Sequence, residues 1–141
     1  MVEKITSNSL SEIAEIEKEC FSLPYTKAML ESGYKTPTFL GFVDACDEIR
    51  GYVLATVVLD EANIDRVAVR GKYRGQKIAS NLISSLENEL LSKGVKTVLL
   101  EVRRSNNPAI SLYSSLGYNK IAERKNYYEN GEDALIFNKI L

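Results

Sequence analysis

Residues 65–79 of the chain read Asp65-Arg66-Val67-Ala68-Val69-Arg70-Gly71-Lys72-Tyr73-Arg74-Gly75-Gln76-Lys77-Ile78-Ala79. A β-branched run, typical of a strand, is followed by a turn (residues 70–77) with two glycines and four cations, and a helical pattern begins at once. The free N–H groups and the positive dipole end of a helix start form an anion site. The segment therefore predicts a strand-to-helix turn that binds a pyrophosphate, and with it a nucleotide-like cofactor.

The turn alone leaves a second interpretation open, that of a connector whose charges are solvated. It is not a Walker A loop, because no Gly-Lys-Ser/Thr sequence ends it, and it lacks the GxGxxG pattern of the Rossmann fingerprint. The ligand must therefore be inferred from the rest of the chain.

Bulk composition predicts a single domain over residues 1–141, with 45% hydrophobic and 26% charged residues as in soluble globular proteins. The formal charge of −1 argues against nucleic acid as the main partner. Neither a signal-peptide pattern nor an apolar run of membrane-spanning length is present, so we expect a cytoplasmic protein with no membrane partner.

The chain contains no histidine, which excludes Ser–His and Cys–His nucleophile pairs and histidine-ligated metals. Its two cysteines, Cys20 and Cys46, fit neither a metal-binding spacing nor a disulfide framework. We therefore expect no metal, and we expect Cys20 to be a buried structural thiol on the apolar side of a helix.

Hydrophobic periodicity predicts an α+β domain of order β-α-α-β-β-β-α-β-α-β-β. Ser9 and Glu12 form a capping-box pattern, and Asn130-Gly131 is a hairpin signal. The strands on either side of the long helix pair in parallel within a mostly antiparallel sheet. The predicted elements cover residues 2–6 (strand), 9–19 and 26–32 (helices), 38–45, 51–59 and 62–69 (strands), 76–92 (helix), 97–103 (strand), 106–117 (helix), 118–128 and 133–141 (strands).

Arg74-Gly75-Gln76-Lys77-Ile78-Ala79 resembles the (Q/R)-x-x-G-x-(G/A) motif with which the GNAT superfamily of N-acetyltransferases binds acetyl-CoA. The resemblance continues in register through residues 99–103, 105–110, 112–113 and 116–118. Residues 21–26 and 124–128 are similar to the RimI type, whose members acetylate the N-terminal α-amine of proteins, notably of a small-subunit ribosomal protein. The likeness covers nearly the whole chain.

The resemblance implies the GNAT fold, a mostly antiparallel mixed sheet with a central splayed parallel strand pair and helices on both faces. Strands 62–69 and 97–103 would separate to hold the pantetheine arm of acetyl-CoA, the expected cosubstrate. The residues implied to bind it are Val67, Ala68, Val69, Arg74, Gly75, Gln76, Lys77, Ile78, Ala79, Asn106 and Tyr113.

Glu101 and Tyr113 are the catalytic residues that the resemblance implies. Glu101 would take a proton from the acceptor amine through water, and Tyr113 would protonate the departing CoA thiolate. The residues alone leave another interpretation open, in which Glu101 faces solvent or pairs with Arg103 and Tyr113 packs in the core.

Position 77 departs from the family pattern, since the family usually has glycine where Lys77 stands. Glycine suits a backbone that lies close against phosphate. Lys77 would then either crowd the site or project outward while its N–H still binds the phosphate, so this departure concerns cosubstrate affinity.

The acceptor side is less sharply defined by the sequence. Leu23, Pro24, Tyr25, Tyr127 and Tyr128 are predicted to form the wall for an acceptor peptide, although the last two fit an exposed aromatic hairpin nearly as well. We expect a protein N-terminus, with a ribosomal protein as the first candidate, as the acceptor and the chain as a monomer or weak homodimer. The alternatives are acetylation of a lysine or a small-molecule amine, and a non-catalytic acyl-CoA-binding module.

Overall fold

The computed structural model describes residues 1–141. One sheet contains all seven strands, and four α-helices flank it. The strands are β1 (Val2–Lys4), β2 (Phe39–Ala45), β3 (Ile49–Val58), β4 (Glu61–Val69), β5 (Thr97–Arg103), β6 (Asn119–Arg124) and β7 (Ala134–Ile140), and the helices are α1 (Leu10–Cys20), α2 (Lys27–Tyr34), α3 (Ile78–Ser92) and α4 (Asn107–Ser115). The spatial order of the strands is β1-β2-β3-β4-β5-β7-β6.

Two hydrophobic clusters place helices on both faces of the sheet. The larger cluster packs α3 and Tyr113 of α4 against one face, through residues such as Val53 and Leu100. The smaller cluster packs α1 and α2 against the other face, through residues such as Val43 and Leu54. The predicted α+β class and the mixed sheet with one parallel pair, β4–β5, are confirmed.

The long helix begins later than the sequence predicted. Lys77 adopts a left-handed backbone conformation, with φ of 61° and ψ of 23°, so α3 begins at Ile78 and not at Gln76. Side chains disfavour this conformation because Cβ crowds the following carbonyl oxygen. The left-handed backbone at position 77 therefore explains why the family usually has glycine there.

The capping interaction before α1 also differs from the prediction. Thr6 and Ser9 cap a 3₁₀ turn (Ser7–Ser9) that precedes the helix, and the Ser9 side chain does not cap α1. The Glu12 carboxylate accepts a hydrogen bond from the Ile49 N–H at 2.6 Å, which anchors α1 to the start of β3. Glu12 thus serves tertiary packing and not the helix end.

The Asn130-Gly131 signal marks a turn inside a long loop and not a two-residue hairpin. Strands β6 and β7 are joined by residues 125–133, and Gly131 N–H donates to the Tyr128 carbonyl at 2.8 Å. The Asp133 carboxylate accepts from the Asn126 N–H at 3.0 Å, so loop backbone groups are bound by side chains. β6 ends at Arg124 and β7 begins at Ala134, so neither strand reaches the turn.

The parallel pair separates halfway along its length. β4 and β5 pair from Glu61–Thr97 to Ile64–Leu100, and no pairing follows. On its other side, β4 carries a β-bulge at Asp65, because Leu54 pairs with Arg66 while Ala55 pairs with Ile64. A bulge bends its strand and increases the twist, and β4 accordingly turns away from β5 beyond Ile64.

Candidate active site

Two cavities open where β4 and β5 separate. The helix-side cavity, of about 430 Å³, reaches the start of α3. The loop-side cavity, of about 650 Å³, reaches the loops at residues 21–25 and 127–128. The cavities meet at the residues that line both of them, which are Cys20, Phe21, Val67, Asn106, Ala109 and Tyr113.

The helix-side cavity contains most of the predicted anion turn. Its wall includes Val67, Ala68, Val69, Arg74, Gly75, Lys77, Ile78 and Ala79, whereas the exposed Gln76 lines neither cavity. No side chain caps the N-terminus of α3, so the first N–H groups of the helix remain available. Together with Arg74 and Lys77, these groups give this end of the cavity the hydrogen-bond donors and positive charge that suit an anion.

Backbone groups of β4 also face the opening between the strands. Arg70 N–H bonds the Arg50 carbonyl on β3 at 2.8 Å, and alternate residues of an antiparallel strand bond the same neighbour. Val67 and Val69 therefore direct their N–H and C=O groups away from β3. Arg74 Nε donates to the Val69 carbonyl at 3.4 Å, which shows that this carbonyl points to the open side.

Cys20 is half-buried and lines both cavities, in contrast to the buried structural thiol that the sequence predicted. It lies at the last residue of α1, where the strand separation leaves its thiol beside the Val69 carbonyl at 3.8 Å. Burial nevertheless raises the pKa of the Cys20 thiol. The second cysteine, Cys46, is exposed and distant from both cavities.

Glu101 lines the loop-side cavity on the first part of β5 that lacks a β4 partner. Its side chain is 29% exposed, and a carboxylate oxygen lies 3.8 Å from Nη1 of Arg124. The carboxylate also raises the pKa of the neighbouring Tyr127 hydroxyl. The expected alternative, a pair with Arg103, is wrong: Arg103 Nη2 donates to Glu129 at 2.8 Å and its guanidinium stacks on Tyr128.

Tyr113 stands at the junction of the two cavities. The side chain is only 8% exposed, and its hydroxyl forms no hydrogen bond with another residue. Burial raises the pKa of Tyr113 to about 12, so the phenol keeps its proton at neutral pH. It is a protonated, unpartnered hydroxyl facing an opening, as a proton donor requires.

Asn106 lines both cavities, but its side-chain oxygen already has a partner. It is the residue before α4, and its Oδ1 accepts a hydrogen bond from the Ala109 N–H at 3.3 Å. The side-chain amide nitrogen has no such contact and is the group that remains to bind a ligand.

The predicted acceptor residues do not all come together. Leu23, Tyr25, Tyr127 and Tyr128 line the loop-side cavity, and the two tyrosines at 127–128 contact each other edge to face with centroids 5.1 Å apart. Pro24 is absent from that wall and lies instead at a separate cavity next to α1 and α2.

One buried pair in the site escaped the sequence analysis. Glu17 of α1 is completely buried and forms an ion pair with Arg66, whose guanidinium lines the loop-side cavity. A signal was present, because Ile13, Ile16, Glu17 and Cys20 share one helix face by their spacing, which places a carboxylate on the apolar stripe.

No group of three or more potential metal-ligating side chains is present, and none of the helices has the length and apolarity needed to cross a membrane. The expectations of no metal and of no membrane partner stay predictions.

The splayed parallel pair and the two joined cavities have the form that the sequence resemblance implies for an N-acetyltransferase. The chain belongs to the acetyltransferase (GNAT) family, whose model matches residues 10–118. The resemblance to that superfamily is thereby confirmed.

Several relatives named for the modification of a ribosomal protein confirm the resemblance to the RimI type. The chain is 34% identical over 128 residues to the [ribosomal protein bS18]-alanine N-acetyltransferase of Haemophilus ducreyi, covering 91% of this chain and 88% of the relative. The crystal structure of the ribosomal-protein-S18-alanine N-acetyltransferase from Escherichia coli superimposes with a TM-score of 0.91 at 33% identity, covering 99% of this chain and 92% of that one. The Arabidopsis thaliana NAA60 complex with acetyl-CoA, at 20% identity, shares the fold with a TM-score of 0.90 and covers 100% of this chain and 98% of that one.

Proposed function

We propose that this chain transfers the acetyl group of acetyl-CoA to the N-terminal α-amine of a protein, with a ribosomal protein as the acceptor. The observation that carries the proposal is the opening between β4 and β5, which joins an anion-binding cavity to a second cavity that contains Glu101. The activity for which the relatives at 33–34% identity are named supports the choice of acceptor.

The helix-side cavity fits acetyl-CoA. Its uncapped helix start, with Arg74 and Lys77 beside it, suits a pyrophosphate, and the backbone groups that Val67 and Val69 direct away from β3 suit an amide-bearing arm. The bound cosubstrate supplies an acetyl thioester. The Val67 and Val69 backbone groups would hold the arm of the cosubstrate and polarise the thioester carbonyl, in an oxyanion-type contribution.

Glu101 would act on the acceptor side as the general base. Its carboxylate lines the loop-side cavity, where the amine must arrive, and it takes one proton from the acceptor ammonium through water. A protein α-amine has a pKa of about 8, whereas a lysine has one of about 10.4. Removing the proton from an α-amine at neutral pH therefore costs less free energy than removing it from a lysine, which suits a single carboxylate as the base.

Tyr113 would act at the junction as the general acid. Its pKa of about 12 keeps the hydroxyl protonated, and the hydroxyl has no competing partner within the chain. It donates its proton to the sulfur that leaves when the amine attacks. The Asn106 amide would orient the cosubstrate from the same junction.

Transfer is proposed to be direct, from thioester to amine, with both substrates bound. Cys20 is the cysteine nearest the reacting groups, but burial raises the pKa of its thiol and so disfavours the thiolate that a covalent intermediate needs. The acceptor peptide would lie in the loop-side cavity against Leu23, Tyr25, Tyr127 and Tyr128.

Two other functions remain as alternatives. Acetylation of a lysine or of a small-molecule amine uses the same cosubstrate site and differs only in the acceptor cavity. A non-catalytic acyl-CoA-binding module would use the helix-side cavity alone. Residues 1–141 as one N-acetyltransferase domain, a cytoplasmic location and a monomeric or weakly dimeric state stay predictions.

Variants of the two proposed catalytic residues test the proposal. Glu101→Gln and Tyr113→Phe should each lower kcat by about 10²–10⁴-fold, the usual contribution of general acid–base groups. The Kd for CoA, measured by calorimetry, should change less than about twofold, and Glu3→Gln on β1 serves as the matched surface control. Wild-type protein that binds CoA but acetylates no peptide or amine would identify the binding module instead.

A further inference from the structure

We infer that Arg66 is a positioning residue that fixes the acceptor loop, defined as residues 21–25, at the wall of the loop-side cavity. The inference rests on the proposed function, because it concerns how that site recognises its acceptor. Arg66 lies immediately after the bulge residue Asp65 and is the cation of β4 that lines this cavity.

Arg66 contacts three of the five residues of the acceptor loop. Its guanidinium carbon lies 3.9 Å from the ring centroid of Phe21 and 4.1 Å from that of Tyr25, so the planar group is clamped between two aromatic rings. Nη2 donates a hydrogen bond to the Leu23 carbonyl at 3.0 Å. Arginine suits this arrangement because a planar guanidinium stacks on rings and donates hydrogen bonds in its plane at the same time.

Glu17 holds the guanidinium from the other side. The carboxylate is completely buried, and its Oε1 accepts from Arg66 Nη2 at 3.1 Å and from the Tyr25 N–H at 2.8 Å. Its other oxygen accepts from the Tyr52 hydroxyl. The ion pair therefore links α1, β3 and β4 to the acceptor loop through one carboxylate.

The acceptor loop is supported by the packing of Phe21 and Tyr25 against the smaller hydrophobic cluster and by few hydrogen bonds. None of its residues belongs to a helix or strand, and its backbone hydrogen bonds are those from Phe21 N–H to the Glu17 carbonyl, from Tyr25 N–H to the Glu17 carboxylate, and from Arg66 to the Leu23 carbonyl. Leu23 itself is 64% exposed. The hydrogen bonds that hold Leu23 and Tyr25 thus all come from the Glu17–Arg66 pair.

The expected consequence falls on the acceptor and not on acetyl-CoA. Leu23 and Tyr25 line only the loop-side cavity, whereas Phe21 lines both cavities and keeps its own N–H bond to the Glu17 carbonyl when Arg66 is replaced. Loss of the Arg66 clamp leaves the anion turn, Glu101 and Tyr113 in place and frees the loop that the acceptor contacts. The KM for the acceptor should rise while the KM for acetyl-CoA stays constant.

Steady-state kinetics of Arg66→Met and Arg66→Lys test the inference. Arg66→Met should raise the acceptor KM at least tenfold and change the acetyl-CoA KM less than twofold. Arg66→Lys, which restores the charge beside Glu17 but not the stacking, should recover part of the loss. Arg50→Met is the matched control, because Arg50 also pairs with a buried carboxylate, that of Asp44 at 2.7 Å, and lines neither cavity. Equal changes in the two KM values, or no change in either, would overturn the inference.

A second measurement separates this inference from the proposed function. Amide hydrogen exchange at Tyr25 reports the loop without any acceptor, and Arg66→Met should accelerate it at least tenfold while Arg50→Met does not. Tyr25→Leu is a second variant, which removes one of the two stacked rings and keeps the buried ion pair. It tests the clamp even if Arg66→Met does not fold, and it should also raise the acceptor KM. Unchanged exchange at Tyr25 in folded Arg66→Met refutes the positioning role, whereas failure of wild-type protein to acetylate any α-amine refutes the proposed function alone.

Discussion

Replacing Lys77 by glycine should stabilise the fold. Lys77 precedes α3 with φ of 61°, in the left-handed region where a side chain is strained. The residue two positions earlier, Gly75, also has a positive φ, of 78°, but there the chain carries glycine. Lys77→Gly removes the Cβ that causes the strain and leaves the turn otherwise intact.

The magnitude is the difference between two opposing effects. A left-handed conformation costs a residue with a side chain about 1–2 kcal/mol, and the greater freedom of glycine in the unfolded chain offsets about 0.5–1 kcal/mol of that gain. The central values of these two ranges leave a net gain of about 0.75 kcal/mol. For 141 residues, an unfolding entropy of about 2.1 cal/mol/K per residue converts this into a rise in Tm of about 2–3 °C.

Calorimetric melting without CoA measures this effect, and Lys77→Ala is its control. The alanine variant loses the charge but keeps Cβ, so it should not gain stability. If Lys77→Ala stabilised as much as Lys77→Gly, the charge and not the backbone would be responsible. A lower Tm for Lys77→Gly would refute the strain argument.

Two further predictions concern the titration of Tyr113 and the anion site. Because the pKa of Tyr113 is raised to about 12 in the folded state, its contribution to the free energy of unfolding is full below pH 10 and falls as the pH rises through 12. Between pH 10 and 12, the free energy of unfolding measured by urea denaturation should fall by about 2 kcal/mol less in Tyr113→Phe than in wild type. An equal fall in the two proteins would contradict the raised pKa of Tyr113. Arg74→Ala should raise the Kd for CoA about tenfold or more, since a hydrogen bond to a charged group contributes about 1.5–3 kcal/mol. Calorimetry with Lys35→Ala as control checks it, and an unchanged Kd would remove Arg74 from the site.

The fold was predictable where hydrophobic patterns repeat over many residues. The α3 stripe has a helical period that fixes its buried face, and the antiparallel meander follows from connections too short for crossover helices; both were predicted. The start of α3 was misplaced because one residue, Lys77, adopts a conformation that its own side chain disfavours. No single-residue preference could have predicted that.

The site was predictable where its residues lie within the motif and less so where distant segments meet. The resemblance named Glu101 and Tyr113, and the structure brings both to the opening between β4 and β5. The Glu17–Arg66 pair joins residues 49 positions apart, and nothing in either local pattern links them. Pro24 was grouped with its neighbours by sequence, but the loop turns it to another surface.

The site of acetylation on a peptide tests the central claim most directly. Peptides with an N-terminal alanine and an internal lysine, incubated with acetyl-CoA and the enzyme, are fragmented in a mass spectrometer to locate the added acetyl group. We predict the acetyl group on the α-amine, with no modification of the lysine. Acetylation of the lysine alone would contradict the proposed acceptor, although the fold and the acetyl-CoA site would stand.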